Sequence, residues 1–160
     1  MASLDDLKLS YRLFMRAYPY RSVDWRPGTH LAKPLSEATI AVVTTAAFYL
    51  PSQEPFDETM RGGDWSFREI PVDTDLPSLG IALQRAAFDP RGIDADQNLA
   101  LPLDRLREME AAGEIGGVAR IHYSFMGSVT APGRLMSESA PAVARLLLER
   151  EVDAVVLTPV

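Results

Sequence analysis

The sequence predicts an α/β fold in which a mostly parallel sheet is flanked by helices, as in a Rossmann-like three-layer sandwich. Two observations predict it. Three apolar segments, TIAVVTTA, VARIHYSF and VDAVVLTPV, have the length and composition of buried strands. Segments with helical periodicity precede and separate them, so helices and strands alternate along the chain. We therefore expect a single α/β domain over residues 1–160.

The first half of the chain is predicted to contain one helix and two extended segments. Apolar residues recur at steps of three and four from about Leu4 to Tyr18, which indicates an amphipathic helix. The proline-containing segment 19–36 is typical of a surface loop. The first core strand is expected from about Thr39 to Ala46. A turn at Gly62-Gly63, which Asp64 caps, leads to an extended segment over Trp65–Pro71.

The second half is predicted to alternate between helices and strands. A short helix is expected over 77–87, and a second helix from about Pro102 to Ala112. The strand over Val118–Phe125 precedes a helix capped by Ser137 or Ser139. The final strand spans Val152–Val160, and its apolar run is typical of a strand that is covered on both faces.

Composition limits the classes of function. A net charge of -6 and a pI near 4.9 argue against non-specific nucleic-acid binding, which requires a basic face. No apolar run approaches the ~20 residues of a membrane span, and the amino-terminal sequence lacks a signal peptide's features, so we expect a cytoplasmic protein with no membrane partner. The chain contains no cysteine and two histidines, so we expect neither a cofactor nor a thiolate or histidine-rich metal site.

Polar residues follow or end each of the three predicted core strands. The first strand delivers Thr44 and Thr45, the next delivers Ser124 with Gly127 close behind, and the last delivers Thr158. If the strands are parallel, these groups meet at one edge of the sheet, where α/β proteins bind ligands. Neutral donors there suit a carboxylate or similar anion. The alternative is that these hydroxyl groups bind the backbone of nearby turns.

Two further residues could contribute to such a site. Arg68 could bind a carboxylate, although a surface ion pair is the commoner role of a lone arginine. His122 could act as an acid or ligand contact, or it could be a hydrogen-bonded core residue. Asp94, Asp96 and Asn98 alternate as in a calcium loop but lack its glycine and distant glutamate, which favours turns capped by their side chains.

Several quoted segments together resemble one family. The segments YRLFMRAYPYR, LAKPLSEATIAVVTTA, GGDWSFREIP, DADQNLALPLDRL, GEIGGVARIHYSFMGS and VDAVVLTPV occur in the order found in the selenoprotein B family of the glycine, sarcosine and betaine reductases, in its short stand-alone branch. The resemblance runs from about Tyr11 to Val160. One departure is at Leu83 and Gln84, where a family-typical histidine is expected.

The resemblance implies a chemistry. In the family, a selenocysteine attacks the carbon α to the substrate carboxylate, an amine leaves, and a partner selenoprotein takes over the selenoether. That residue lies in a U-x-x-C or C-x-x-C element directly after the strand that resembles VDAVVLTPV. The resemblance therefore implies that residues 1–160 are the amino-terminal part of a longer selenoprotein reading frame, in which a UGA codon follows Val160. The chain without that residue is expected to lack reductive turnover.

Two other functions stay open at this point. The chain could be a non-catalytic module that binds a small carboxylate, or an assembly subunit of a reductase complex. If residues 1–160 are part of a longer reading frame, a helix after Val160 would cover one face of the sheet. Its loss would expose an apolar face around Val155 and Leu157. We therefore expect two copies to pair through that face as a homodimer.

Overall fold

The structure, a computed structural model, describes residues 8–17, 28–82 and 91–160, which fall into two units, 1–30 and 31–160. In the first unit, helix α1 spans Leu9–Ala17 and lies within the predicted helix. Its side chains Leu9, Leu13 and Phe14 are exposed. The remainder of that predicted helix and most of the predicted loop up to residue 27 lie outside the described ranges.

The described residues of the second unit contain seven strands. In chain order they are β1 (Thr39–Thr44), β2 (Phe48–Tyr49), β3 (Phe67–Pro71), β4 (Gly80–Ile81), β5 (Gly117–Val118), β6 (Ile121–Phe125) and β7 (Ala154–Thr158). Strands β2 and β4 form an antiparallel pair of their own, and the other five strands form one sheet. Strand β1 is central in that sheet, because β7 pairs along one of its edges while β5 and β6 pair with its two ends.

The α/β class is confirmed, but the sheet is mixed. Strand β1 is parallel to β5, β6 and β7, whereas β3 is antiparallel to β6. A parallel neighbour requires a crossover connection, usually a helix, that returns the chain to the starting end. Residues 45–66, which connect β1 to β3, contain no helix, so β3 enters the sheet from the far end. The sheet is therefore mixed and not mostly parallel as expected, and a Rossmann-like arrangement is not confirmed.

The part of the second unit that the structure describes also contains three α-helices: α2 (Arg91–Ala95), α3 (Leu103–Ala111) and α4 (Ala140–Glu149). The helix predicted for 77–87 is wrong where the structure describes it, because a 3-10 turn at Leu76–Ser78 leads into β4. Its continuation over 83–90, with Leu83 and Gln84, lies outside the described ranges. A π-helical turn precedes α4, and Ser139 donates to the Trp65 carbonyl instead of capping the helix. None of the helices in the described ranges has the length and apolarity needed to cross a membrane.

The two faces of the sheet belong to different apolar clusters. Ile40 and Val42 of β1 lie in a cluster with Leu103 and Leu106 of α3. The next residue, Val43, packs in a second cluster with Tyr123 of β6 and the α4 residues Val143, Leu146 and Leu147. Because successive strand residues point to opposite faces, α3 and α4 cover opposite sides of the sheet.

Strand β7 is less covered than the sequence predicts. Val155 and Val156 are each 37% exposed and Leu157 is 70% exposed, so the expectation that both faces are covered is wrong. Within the described residues β7 pairs with β1 alone, which leaves its other edge open. The exposed Val155 and Leu157 agree with the predicted uncovered face. Association of two copies through this face stays a prediction.

The predicted strand over Val118–Phe125 is interrupted. Between the paired positions Ile40–Val118 and Val43–Tyr123, β1 has two residues and the opposite strand has four. The extra residues form a bulge at Ala119 and Arg120. The Val42 amide points to this gap, and it donates to Nδ1 of the fully buried His122 at 3.0 Å. A side chain thus replaces the backbone acceptor that the bulge removes.

The His122 interaction predicts a pH-dependent stability. Burial and the nearby Arg107 guanidinium lower the pKa of His122 from 6.5 to about 4, against a smaller opposing effect of the Ala119 carbonyl. Above pH 6.5 neither state binds the proton. Below it the unfolded state does, so the free energy of unfolding should fall by up to about 3 kcal/mol between pH 6.5 and pH 4. Urea titrations across this range measure the fall.

A matched pair of variants isolates the histidine. His122→Gln retains an acceptor for the Val42 amide but cannot titrate, so its stability should be flatter across this pH range. His122→Leu leaves a buried amide without an acceptor and should cost about 1–3 kcal/mol at pH 7 as well. A wild-type profile no steeper than that of His122→Gln would contradict the assignment.

Candidate functional site

Four of the predicted site residues lie in one row across the sheet. Thr44 pairs in register with Ser124 on one side and with Thr158 on the other, and Ser124 pairs with Arg68 of β3. Side chains at paired positions point to the same face. The carboxyl ends of β1, β6 and β7 therefore meet as the sequence predicts. We call the group formed by Thr44, Thr45, Ser124, Gly127 and Thr158 the rim.

The three threonine hydroxyl groups of the rim bind the backbone. Thr44 Oγ1 donates to the Thr158 carbonyl at 3.3 Å and accepts from the Ala46 amide at 3.2 Å. Thr158 Oγ1 donates to the Ala100 carbonyl at 2.7 Å, which ties β7 to the segment before α3. These bonds use the hydroxyl protons, so these threonines define the shape of the rim. Any role of theirs as direct donors to a ligand stays a prediction.

Thr45 fixes the backbone at Val160. Its Oγ1 accepts from the Val160 amide at 2.8 Å and lies 3.3 Å from the Val160 carbonyl, to which it donates. On the other side, a Cβ added to Gly127 would lie 2.9 Å from the Val160 carbonyl and 3.0 Å from that of Thr45, which is closer than side chains pack. Gly127 therefore lets Val160 lie against the end of β6.

Ser124 is the polar group of the rim that lacks a partner. It is fully buried, and its Oγ makes no hydrogen bond to any described residue. His122, two residues earlier on the same face of β6, has a second such atom in Nε2. Buried polar atoms are nearly always satisfied by protein, water or ligand. These two atoms are therefore the buried polar groups beside the rim that no described residue satisfies.

The GGD turn supports the end of β6. Gly62 and Gly63 have φ of +94° and +93°, and a Cβ on Gly63 would lie 2.8 Å from the Cα of Val129. The Asp64 amide donates to Met126 Sδ at 3.4 Å. Burial alone would raise the pKa of Asp64, but hydrogen bonds from Ser66 and the Asp57 amide, with Arg68 nearby, hold it below its usual range. The turn, and its cap by Asp64, agree with the prediction.

Arg68 and His122 have structural partners. The Arg68 guanidinium donates to the Glu54, Pro55 and Phe67 carbonyls and to Ser66 Oγ, and it lies 4.3 Å from the centre of the Phe56 ring. It also lines a cavity of about 400 Å³ beside Asp64 and Trp65. His122 binds Val42 inside the sheet. As ligand contacts, both stay predictions.

Sequence reasoning missed the backbone partners of the rim. The Ala100 carbonyl and the two Val160 backbone groups bind rim hydroxyl groups, yet backbone atoms leave no signal in residue identity. Met126, whose Sδ accepts from the Asp64 amide, is not among the predicted site residues. Its position beside Gly127 in the FMGS segment was the one available signal.

Residues 6–160 match the family described as glycine/sarcosine/betaine reductase selenoprotein B (GRDB). The chain belongs to this family. It is 33% identical over 134 residues to the D-proline reductase subunit gamma of Acetoanaerobium sticklandii, with 84% of this chain and 52% of that protein covered. It is 30% identical to the glycine reductase complex component B subunit gamma of Carboxydothermus hydrogenoformans, and 31% identical to the betaine reductase complex component B subunit beta of Peptoclostridium acidaminophilum.

Each match covers most of this chain but a smaller share of the relative. The glycine and betaine reductase relatives match over 94% of this chain but 34% of their own length. The chain thus spans about half of the D-proline reductase subunit and about a third of the other two. No solved structure matches the chain. The three relatives are therefore considerably longer than the part of each that this selenoprotein B family member matches.

The hydrogen bonds between Thr45 and the Val160 backbone lead to a prediction. Thr45→Val keeps the shape of the side chain but removes the oxygen that binds Val160, whereas Thr45→Ser keeps the oxygen. Loss of one net hydrogen bond of about 1 kcal/mol should speed amide exchange at Val160 about fivefold in the valine variant and leave it near wild type in the serine variant. Hydrogen exchange followed by NMR measures this. Equal exchange in all three proteins would show that Thr45 does not hold Val160.

Proposed function

We propose that this chain is the part of a reductase component that precedes the redox nucleophile and presents the substrate side of its site. The proposed reaction is reductive cleavage of a bond α to a carboxylate or similar group. A selenolate or thiolate attacks the α carbon, the C–N bond breaks and the amine leaves. The selenoether that remains is passed to a partner protein. Membership of the selenoprotein B family supports a reductase-associated role.

The position of Val160 carries the proposal. Thr45 and Gly127 hold the Val160 backbone at the carboxyl ends of β1 and β6. A residue that follows Val160 would leave from the rim, next to the row of Thr44, Ser124 and Thr158. Open α/β sheets bind ligands at this end of their strands. A nucleophile attached there would meet a substrate on the rim without any rearrangement of the sheet.

The rim is proposed to hold the substrate's carboxylate through neutral donors. The buried Ser124 hydroxyl is the one with no partner in the described chain, and Gly127 allows close approach of the backbone. Thr44, Thr45 and Thr158 keep these groups in place, and Arg68 fixes the loop beside them. Hydrogen bonds to a charged acceptor are stronger than neutral ones, so a few preorganised donors suffice.

The nucleotide sequence after the Val160 codon tests the proposal. We expect an in-frame UGA, then a cysteine codon three positions further on, as in U-x-x-C, and further coding sequence. The protein produced from this longer frame should carry a reactive selenol or thiol, and changing that residue to serine should abolish reductive cleavage, because a serine hydroxyl cannot be oxidised and reset. A different stop codon followed by non-coding sequence would overturn the proposal.

The second candidate is a binding module without catalysis. The row of polar residues at the rim favours it independently of any nucleophile. Calorimetry of the 160-residue chain with a small carboxylate tests it, with Ser124→Ala and Thr44→Val as variants. Binding that both variants abolish, together with an ordinary stop codon, would select the module over the reductase. Stable co-purification with reductase subunits without carboxylate binding would instead favour an assembly subunit.

A further inference from the structure

A second cleft lies at the other end of the sheet. It has a volume of about 530 Å³ and is lined by Thr39, Val118, Ala119, Arg120, Ile121 and Arg150. Thr39 begins β1 and Ile121 begins β6. Since Thr44 ends β1 five residues later, the cleft lies about 16 Å from the rim along the strand. It is therefore separate from the site proposed above.

The bulge between β5 and β6 forms one wall of this cleft. The Ala119 amide still donates to the Ile40 carbonyl at 2.9 Å, and its side chain is buried. The next residue leaves the ladder: the Arg120 carbonyl accepts from the Val72 amide, and its side chain is exposed. A bulge that redirects one side chain is a common device beside functional sites. Here the bulge takes Arg120 out of the regular strand pairing, and Arg120 lines the cleft.

The two arginines of the cleft differ in their partners. Arg150 contacts both carboxylate oxygens of Glu69 at 3.1 Å and donates to the Tyr123 hydroxyl, so its charge is balanced and its position fixed. The Arg120 side chain forms neither a hydrogen bond nor an ion pair within the described ranges. Among the described residues, this leaves one uncompensated positive charge on the cleft, in a protein whose net charge is -6.

The nearby acid Asp153 already has partners. Asp153 accepts from the Thr39 amide at 2.8 Å and pairs with Lys33 at 2.9 Å. These contacts, the Thr39 amide first, hold the pKa of Asp153 below its usual range, so it stays charged and bound to its own partners. Neither Asp153 nor Glu69 is therefore free to pair with Arg120 without giving up an existing contact.

We propose that this cleft binds a small organic monocarboxylate with an apolar body. Arg120 supplies the charge, because a guanidinium matches the two oxygens of a carboxylate. The half-buried Val118 and Ile121 supply an apolar surface for the body of the ligand. A single uncompensated charge favours a monoanion over a phosphate dianion. The volume lies within the usual range of small-molecule sites.

NMR titration of the 160-residue chain with 3-phenylpropionate tests the proposal. The expected result is saturable shifts of the amides of 118–121, with no comparable effect of 3-phenylpropanol, which has the same body without the charge. Arg120→Gln should weaken binding about tenfold or more, the usual effect of losing a hydrogen bond to a charged group. Arg145→Gln removes an exposed charge outside the cleft and should bind like wild type.

Three results would overturn the proposal. The first is an absence of saturable shifts at 118–121. The second is equal weakening by Arg120→Gln and Arg145→Gln, which would indicate general charge attraction. The third is a response confined to Ser124 and Gly127, which would assign the carboxylate to the rim. Because the cleft and the rim are titrated separately, failure here leaves the proposed function intact. An ordinary stop codon after Val160 would overturn the proposed function but not the proposal that the cleft binds a carboxylate.

Discussion

The hydrogen bond from the Val42 amide to His122 Nδ1 is the contact on which the rest of the sheet depends. Without it, the bulge at Ala119 and Arg120 would leave a buried amide of the central strand without an acceptor, at a cost of about 1–3 kcal/mol. With it, β6 resumes pairing with β1 two residues further along its own sequence. The bulge is thus retained inside a sheet that is buried on both faces at this point.

Both proposed sites follow from this offset. Downstream of the bulge, the shifted register sets Ser124 opposite Thr44, and Thr44 is in turn opposite Thr158. A one-residue change in register would turn Ser124 to the opposite face, among the α4 contacts. Upstream, the same extra residues include Arg120, which lines the cleft. One buried histidine therefore supports the geometry at two ends of the sheet.

The sequence predicted the parts of the fold that depend on local pattern. The positions of β1, α3 and α4, and the meeting of Thr44, Ser124 and Thr158, follow from apolar periodicity and from the rule that parallel strands share a carboxyl end. The direction of β3 was missed, although no helix was predicted between the first strand and Trp65–Pro71, and a connection without a helix is a signal against a parallel neighbour. Segment 45–66 crosses the molecule without a helix.

The local sequence pattern could not predict the bulge or the hydrogen bond of His122 either. VARIHYSF has the composition of one continuous strand, and nothing in it reveals that two residues leave the ladder. His122 could be an acid or ligand contact or a hydrogen-bonded core residue, and the hydrogen bond that it makes involves a partner 80 positions away. Val155 and Leu157 show the same limit, since an apolar run does not reveal whether its strand lies at a sheet edge.

The protonation state of His122 tests the account most directly. Nδ1 accepts a hydrogen bond and burial keeps the ring neutral, so the proton must lie on Nε2 at pH 7. Nitrogen-15 NMR of the imidazole should show an unprotonated Nδ1 and a protonated Nε2, with a scalar coupling between Nδ1 and the Val42 amide nitrogen across the hydrogen bond. A ring protonated on Nδ1, or an imidazolium at pH 7, would contradict the account, because neither can accept the Val42 amide.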